Sequence, residues 1–390
     1  MNKDEWRLLV VDDNEDNRYT LTRRLTREGY TNLTIAEDGQ QALDLLGAQS
    51  FDLVLLDVMM PGLNGYDVLQ RVRADERLRA IPVIMISALD EIESVIRCVE
   101  LGAEDYLSKP FNPTLLRARV GASLEKKALR DEMTRNVLRM ERELDKARAI
   151  QLSMVPRDFP SPTTELPVEV FATLEPARET GGDLYDCFWI APGQLCLAVG
   201  DVSDKGASAA LFMARTKAVL RVMATTLASS GHAPAAVELM LRVNEELYKD
   251  NSHAMFVTII LCIVDVRHGH VEWCNAGHAA PYVITPGGKA SEVAFGHSFP
   301  VGVRSKLVCA SNATELAPGE CLFLYTDGVT EAANESDALF GDERLAAALR
   351  AIAGHSPRDI VNAVQRDVRS FSGSAAQSDD IAALACRWRV

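Results

Sequence analysis

Residues 1–122 alternate short apolar runs with longer segments in which apolar positions recur at helical spacing. Five of the apolar runs predict β-strands, at residues 8–11, 32–36, 53–56, 83–87 and 105–108. The segments at residues 15–28 and 39–46 predict helices between the first three of them. This alternation predicts an α/β fold, in which a doubly wound, five-stranded parallel sheet carries helices on both faces.

Residues 124–154 form one long helical pattern without glycine or proline. From Met133 onward its core positions alternate in steps of four and three, but Lys127 and Asp131 interrupt the register before that point. These positions are Met133, Val137, Met140, Leu144, Ala147, Gln151 and Met154. The spacing predicts a parallel dimeric coiled coil; the alternative is an amphipathic helix packed on one of the chain's own domains.

The rest of the chain, residues 156–390, is rich in strand-like runs and begins with several prolines that end the helix. Strands are predicted at residues 168–173, 195–199, 256–264, 270–274, 281–284 and 321–325. Helices are predicted at residues 207–228, 233–248, 342–353 and 357–369. We therefore expect three parts: an α/β domain at 1–122, a helical linker at 123–155, and an α+β domain of two antiparallel sheets at 156–390.

The charge and cysteine content narrow the possible functions. A net charge of −14 argues against nucleic-acid binding as the main function. The eight cysteines are scattered without a Cys-x-x-Cys pair, which favours buried free thiols in a reducing compartment. The longest apolar run, at residues 254–264, is too short to span a membrane, and the polar N-terminus lacks a signal-peptide core. We expect a soluble, cytoplasmic protein.

Polar residues gather where the predicted parallel strands end. Asp12 and Asp13 follow the first strand, Asp57 the third, Ser87 ends the fourth, and Lys109 follows the fifth. Ligands of such sheets bind at this edge. Three carboxylates can hold one divalent cation, Asp57 can accept a phosphoryl group, and Lys109 and Ser87 can contact that phosphate. The alternative is a set of ordinary polar residues that cap strands.

These residues lie in motifs that resemble the response-regulator receiver family, at residues 10–14, 55–65, 87–88 and 109–110. The resemblance implies phosphorylation of Asp57 by a sensor histidine kinase, with Mg²⁺ held by Asp12, Asp13 and Asp57. It also implies that Tyr106 and Ser87 form a switch pair, although Tyr106 could equally be a core aromatic.

Carboxylates also stand at strand edges in the C-terminal part. Asp201 ends the apolar run that begins at Leu195, Asp327 follows the run at 322–326, and Asp379 precedes the run at 381–386. Asp183 lies in a glycine-containing segment before them. Each segment alone is typical of a turn. Together, the four edges favour a site for hard cations such as Mg²⁺ or Mn²⁺.

Five segments in this order resemble the SpoIIE/RsbU-like branch of the metal-dependent, PPM-type serine/threonine protein phosphatases. They occupy residues 181–186, 200–206, 275–278, 325–332 and 378–381. The resemblance implies an αββα sandwich and two Mn²⁺ or Mg²⁺ ions. It implies that Asp201 bridges both ions, that the Val202 carbonyl binds one, and that Asp327 and Asp379 complete the other. Asp183 corresponds to a position that acts through water or supports a ligand.

The sequence departs from the wider phosphatase family because it has no clear phosphate-binding arginine; Arg178 is the nearest candidate. The expected function is nevertheless a response regulator with a phosphatase output. Its implied substrate is an anti-sigma-factor antagonist, and the linker is expected to make it a homodimer. The alternative is a non-catalytic adaptor with a degenerate phosphatase domain, against which the intact Asp201, Asp327 and Asp379 argue.

Overall fold

The computed structural model describes residues 2–88, 92–163, 166–177, 180–229, 234–294 and 298–389. The chain forms two compact units, Met1–Met140 and Glu141–Val390.

The first unit is built on a five-stranded parallel sheet with strand order β2-β1-β3-β4-β5. Its strands are β1 (Arg7–Val11), β2 (Asn32–Ala36), β3 (Leu53–Asp57), β4 (Val83–Ser87) and β5 (Asp105–Ser108). Its helices are α1 (Glu15–Arg27), α2 (Gly39–Ala48), α3 (Gly65–Ala74), α4 (Ile92–Glu100) and the start of α5 (Pro113–Met154).

Both faces of the central strands of this sheet are buried. In β1, Leu9 and Val11 pack with residues of α2, α3 and α4, while Leu8 and Val10 pack with residues of α1 and α5. Strands covered on both faces are apolar at nearly every position, which explains the continuous runs in the sequence. The predicted α/β fold is confirmed.

Helix α5 contributes to both units. Its first turns bury Leu116 and Leu124 in the core of the first unit, where Lys127 also pairs with Asp52 (Nζ–Oδ1 3.3 Å). This pairing explains the interruption of the heptad pattern at Lys127. The middle of α5 exposes apolar side chains, among them Met133 and Val137.

The second unit contains two five-stranded sheets whose strand pairs are all antiparallel, with orders β13-β10-β9-β8-β7 and β12-β11-β14-β15-β6. Its strands are β6 (Val168–Glu175), β7 (Leu184–Ala191), β8 (Gln194–Val202), β9 (Val257–Asp265), β10 (His270–Ala276), β11 (Tyr282–Ile284), β12 (Ala290–Glu292), β13 (Asn312–Glu315), β14 (Cys321–Tyr325) and β15 (Ile381–Trp388). Its helices are the end of α5, α6 (Ala207–Ala228), α7 (Ala236–Tyr248), α8 (Gly341–Ala351) and α9 (Pro357–Ser372).

Three apolar layers hold this unit together. Residues such as Leu197 of β8 and Leu384 of β15 form the layer between the sheets. The outer face of the first sheet packs against α6 and α7, and the outer face of the second packs against α8 and α9. This arrangement is the predicted αββα sandwich.

The cysteines are free, and all except the half-buried Cys309 are buried, as their apolar surroundings in the sequence predict. Of the helices in the described parts of the chain, none combines the length and hydrophobicity that a membrane span requires.

Candidate functional site

Three carboxylates converge at the carboxyl ends of β1 and β3. Asp12 and Asp13 follow β1, and Asp57 is the last residue of β3, its neighbour in the sheet. One oxygen from each lies within 4.8 Å of the others. Asp12 and Asp57 are buried, and Asp13 is exposed. An oxygen-only set that is open on one side suits a hard cation such as Mg²⁺.

Lys109 neutralises part of this charge. Its Nζ lies 2.8 Å from Asp12 Oδ2 and 3.0 Å from Asp57 Oδ2. Burial raises the pKa of Asp57 to about 6, although the hydrogen bond from Lys109 opposes the rise. Asp57 Oδ1 is buried and has no hydrogen-bond partner among the described residues. This oxygen is therefore available to a cation or to an incoming phosphoryl group.

The two predicted switch residues lie on neighbouring strands. Ser87 is buried at the end of β4, on the same sheet edge as Asp57. Tyr106 on β5 is half-buried and packs against a core cluster. The interpretation of Tyr106 as a core aromatic residue thus has direct structural support, and its role in the switch stays a prediction.

The second unit places four carboxylates at one end of the sandwich. Asp201 lies near the end of β8 in one sheet, whereas Asp327 follows β14 and Asp379 precedes β15 in the other. Asp183 precedes β7, and its Oδ2 accepts a hydrogen bond from Thr326 Oγ1 (2.6 Å). Thr326 adjoins Asp327 in the chain, so this bond links the loops of both sheets.

Burial and neighbouring carboxylates raise the pKa values of Asp183, Asp201 and Asp327. Burial raises the pKa of Asp201 to about 7, and the charges of Asp327 and Asp379 add to the rise. Burial and Asp201 raise the pKa of Asp183 well above its usual range. The Asp327 side chain reaches solvent, yet desolvation and Asp379 raise its pKa too. Divalent cations would relieve this repulsion, so the residues fit the implied metal ions.

The carboxylate oxygens of the second unit's site are more widely spaced than those around Asp57. In the parts of the chain that the structure describes, three ligand atoms come within 4.8 Å of one another only in the set of Asp12, Asp13 and Asp57.

Two glycines make room beside these carboxylates. A Cβ atom on Gly182 would lie 2.7 Å from the Val202 carbonyl oxygen, and one on Gly181 would lie 1.8 Å from Asp380 Oδ2. The buried Asp380 holds the glycine segment, because its two oxygens accept hydrogen bonds from Ala177 N (2.8 Å) and Gly182 N (2.7 Å). The absence of side chains therefore leaves the Val202 carbonyl open to a cation.

Gln151, at the end of α5, is a site residue that sequence reasoning missed. Its amide pairs with both backbone groups of Gly181: Nε2 donates to the carbonyl (2.5 Å) and Oε1 accepts from the N–H (3.1 Å). Gln151 is a predicted coiled-coil position, but it is buried in this contact. A polar residue at a core position of the heptad was the available signal.

Lys205 is the second residue missed. Its Nζ donates to Asp379 Oδ2 (2.9 Å) and to the Ser378 carbonyl (2.9 Å). Its position four residues after Asp201, in the same turn, was the signal. Arg178, the arginine considered for phosphate binding, lies outside the described residues.

His278 supports the fold of the site. The Asn275 side chain bonds the backbone of His278 and closes the bend after β10. Burial lowers the pKa of His278 to about 4, and its Nδ1 lies 3.0 Å from Thr258 Oγ1. A histidine that is uncharged at neutral pH cannot act as a cationic acid there.

Comparisons with known families agree with this division. The family model described as Stage II sporulation protein E (SpoIIE) matches residues 191–389, just over half of the chain. The chain belongs to the SpoIIE family. A second model, the response regulator receiver domain, matches residues 8–121. The chain therefore carries a receiver domain followed by a PP2C-type, SpoIIE-family phosphatase domain.

Curated relatives match different lengths of this chain. Protein IcfG of Synechocystis sp. is 28% identical over 265 residues, which cover 62% of this chain and 41% of that protein. Chemotaxis protein CheY of Pseudomonas aeruginosa is 36% identical over 120 residues, 31% of this chain and 97% of that protein. The match to the probable transcriptional regulator ycf27 of Cyanidium caldarium covers 49% of that protein's length. The chain thus spans about half or less of the regulator ycf27 and of IcfG.

Solved structures show the same fold for the SpoIIE-family part. The SiaA-PP2C domain of Pseudomonas aeruginosa superposes with a TM-score of 0.56 at 22% identity, covering 65% of this chain and 98% of that one. The PP2C phosphatase domain of SpoIIE from Bacillus subtilis gives a TM-score of 0.50 at 18% identity, covering 58% and 64%.

Proposed function

We propose that this protein is a two-component response regulator whose output is a metal-dependent phosphoserine/phosphothreonine phosphatase. Its receiver, linker and phosphatase parts are assigned to residues 1–122, 123–155 and 156–390. The observation that carries the proposal is the convergence of Asp201, Asp327 and Asp379 at one end of a SpoIIE-family sandwich, in a chain that also holds a receiver carboxylate set.

In the receiver, Asp57 is the proposed phosphorylation site and a sensor histidine kinase is the proposed donor. Asp12, Asp13 and Asp57 would hold Mg²⁺. Lys109 already contacts Asp57, so its ammonium can stay with the new phosphate, and Ser87 can donate its hydroxyl to it. A dianion at this position biases the receiver between two arrangements.

In the phosphatase domain, Asp201, Asp327, Asp379 and the Val202 carbonyl would hold two Mn²⁺ or Mg²⁺ ions, with Asp183 supporting them. When bound, such ions activate water for attack and neutralise phosphate charge. Asp380 keeps the glycine segment in place, and the solvent-exposed Asp327 marks the side from which a phosphoprotein can approach. The proposed substrate is an anti-sigma-factor antagonist in the cytoplasm.

Phosphorylation of Asp57 should change the phosphatase rate. Beryllofluoride or an acyl-phosphate donor should raise wild-type activity by about 5- to 150-fold, the usual range of coupling between sites. The assay is Mn²⁺-dependent release of phosphate from p-nitrophenyl phosphate and from a phosphoserine peptide. Asp57→Ala should respond to neither activator while keeping its basal rate.

Equal wild-type rates with and without activators would show that the domains are only tethered, and absence of any metal-dependent hydrolysis would contradict the phosphatase itself. A wild-type rate that falls when the receiver is activated would show that the two domains are coupled but that phosphorylation inhibits the phosphatase.

The exposed apolar side chains of α5 support a homodimer through the linker. Val137 is 45% exposed in the single chain, and Leu144 is half-buried. Replacing both with lysine would bury like charges in a seam and should shift sedimentation toward monomer. The double variant Arg139→Lys/Arg142→Lys, which keeps the charge, is the matched control. A wild type that stays monomeric at micromolar concentration, with or without beryllofluoride, would rule out the dimer.

A further inference from the structure

In the described part of the chain, one lysine side chain contacts a carboxylate of the proposed active site. Among the lysines and arginines that the structure describes, Lys205 is the one whose side chain contacts Asp201, Asp327 or Asp379. The Lys205 side chain is 42% exposed, so solvent and solutes can reach it.

Nearby cations of the same domain are already paired. Lys217 and Arg221 both bind the buried Asp186 (Nζ–Oδ2 3.0 Å and Nη2–Oδ1 2.6 Å). Arg369 pairs with Glu175. Carboxylates outside the proposed metal site pair with these three groups, whereas the carboxylate that pairs with Lys205 is itself a proposed metal ligand.

The turn that carries Lys205 is fixed by its neighbour. Asp204 accepts hydrogen bonds from the Lys205 N–H (2.9 Å) and from Ser208 Oγ (3.1 Å). Its φ of +76° lies in the left-handed region, which aspartate tolerates better than most residues. The backbone of Lys205 is thus held in the turn that follows β8, while its side chain remains half-exposed.

We propose that Lys205 binds the phosphate of the substrate and takes the part for which the sequence offers no clear arginine. This inference rests on the proposed phosphatase function. A divalent cation held by Asp379 would compete with the Lys205 ammonium for that carboxylate, which would leave the ammonium with the Ser378 carbonyl and with room for another acceptor. A phosphate monoester dianion at the carboxylates supplies one, and lysine binds phosphate as a mobile point charge.

The competing explanation is that Lys205 is only a counter-charge for Asp379. The two roles differ in what its removal does. If Lys205 binds the substrate phosphate, its removal weakens phosphate binding. If Lys205 is only a counter-charge that competes with the metal for Asp379, its removal strengthens metal binding and leaves phosphate binding unchanged.

The test uses the full-length protein and three variants: Lys205→Met, Lys205→Arg and, as the matched control, the exposed Lys289→Met. Calorimetry measures Mn²⁺ binding, then inorganic phosphate binding to the Mn²⁺-loaded protein. Lys205→Met should weaken phosphate binding by about 10- to 100-fold and leave Mn²⁺ binding equal or tighter. Lys205→Arg should restore much of the phosphate affinity, and Lys289→Met should match wild type.

Steady-state rates on p-nitrophenyl phosphate separate this inference from the proposed function. A wild type that binds phosphate through Lys205 but hydrolyses nothing would contradict the phosphatase and leave the phosphate site standing. Phosphate affinity that Lys205→Met leaves unchanged would overturn the inference. Loss of Mn²⁺ binding together with phosphate binding would also overturn it, because Lys205 would then be a structural part of the metal site.

Discussion

Asp327→Asn is expected to abolish nearly all Mn²⁺-dependent phosphatase activity while the protein stays folded. Changing groups that merely support a metal ligand typically costs about 10- to 100-fold in affinity or activity, so losing a charged ligand should cost more than about 100-fold. Asp327 lies in the turn after β14 and reaches solvent, so an isosteric amide fits without repacking.

The metal-free protein should not lose stability from this change. The pKa of Asp327 is raised by desolvation and by Asp379, which means that its ionised form is disfavoured in the folded state. The neutral amide removes that repulsion at neutral pH. Thermal unfolding without metal should therefore match or exceed wild type, whereas the stabilisation that added Mn²⁺ gives should shrink.

Asp337→Asn is the matched control, because Asp337 is exposed in the connection that follows the same turn. Its activity and its Mn²⁺-dependent stabilisation should equal those of wild type. A folded Asp327→Asn protein that keeps more than about a tenth of wild-type activity would contradict the assignment of Asp327 as a ligand.

The sequence predicts most of the receiver's strands because their hydrophobic patterns are set by residues close together in the chain. The strands predicted at residues 32–36, 83–87 and 105–108 match β2, β4 and β5, and the one at 53–56 stops one residue short of β3. The central strands β1, β3 and β4 are buried at nearly every position and are therefore apolar, and the two helices predicted between the first three strands carry a clear period.

The phosphatase sheets were harder to predict for two reasons. Strand β7 was missed because Asp186 interrupts its apolar run. In the structure this carboxylate is fully buried and neutralised by Lys217 and Arg221, a compensation that no local pattern reveals. Pairings such as that of β6 with β15 join segments about two hundred residues apart, so their register is tertiary information.

The site residues likewise differ in whether local sequence or distant contacts reveal them. Asp57 and Asp201 could be named from the sequence because each ends an apolar strand run. Gln151 and Lys205 could not, because their importance comes from partners distant in the chain, Gly181 and Asp379. The first of these contacts yields the second large prediction.

Gln151→Leu should lower kcat/KM by about 100-fold or more, although Gln151 touches no carboxylate in the described structure. Leucine has a similar size but leaves the buried N–H and carbonyl of Gly181 without partners. Each such group costs about 1–3 kcal/mol, so the glycine segment is expected to rearrange. Gly182 and Asp183 move with it, and the opening beside the Val202 carbonyl depends on Gly182.

The neighbouring Ile150→Ala provides the control on the same helix. Ile150 is 59% exposed, and its truncation should leave the rate unchanged in the single-chain site. Gln151→Glu keeps the acceptor for the Gly181 N–H but loses the donor, so its activity should fall between those of wild type and Gln151→Leu.

Calorimetry of Mn²⁺ binding and the activation by beryllofluoride show whether Gln151 transmits the receiver signal in addition to holding the glycine segment in place. If α5 carries the receiver signal to the glycine segment, Gln151→Leu should bind Mn²⁺ more weakly and should lose activation by beryllofluoride, since the helix no longer holds Gly181. If Mn²⁺ binding is weaker but beryllofluoride activates the variant by the same factor as wild type, Gln151 supports the site and does not transmit the receiver signal. Wild-type rates, metal affinity and activation together would show that the contact between α5 and Gly181 has no part in catalysis or its control.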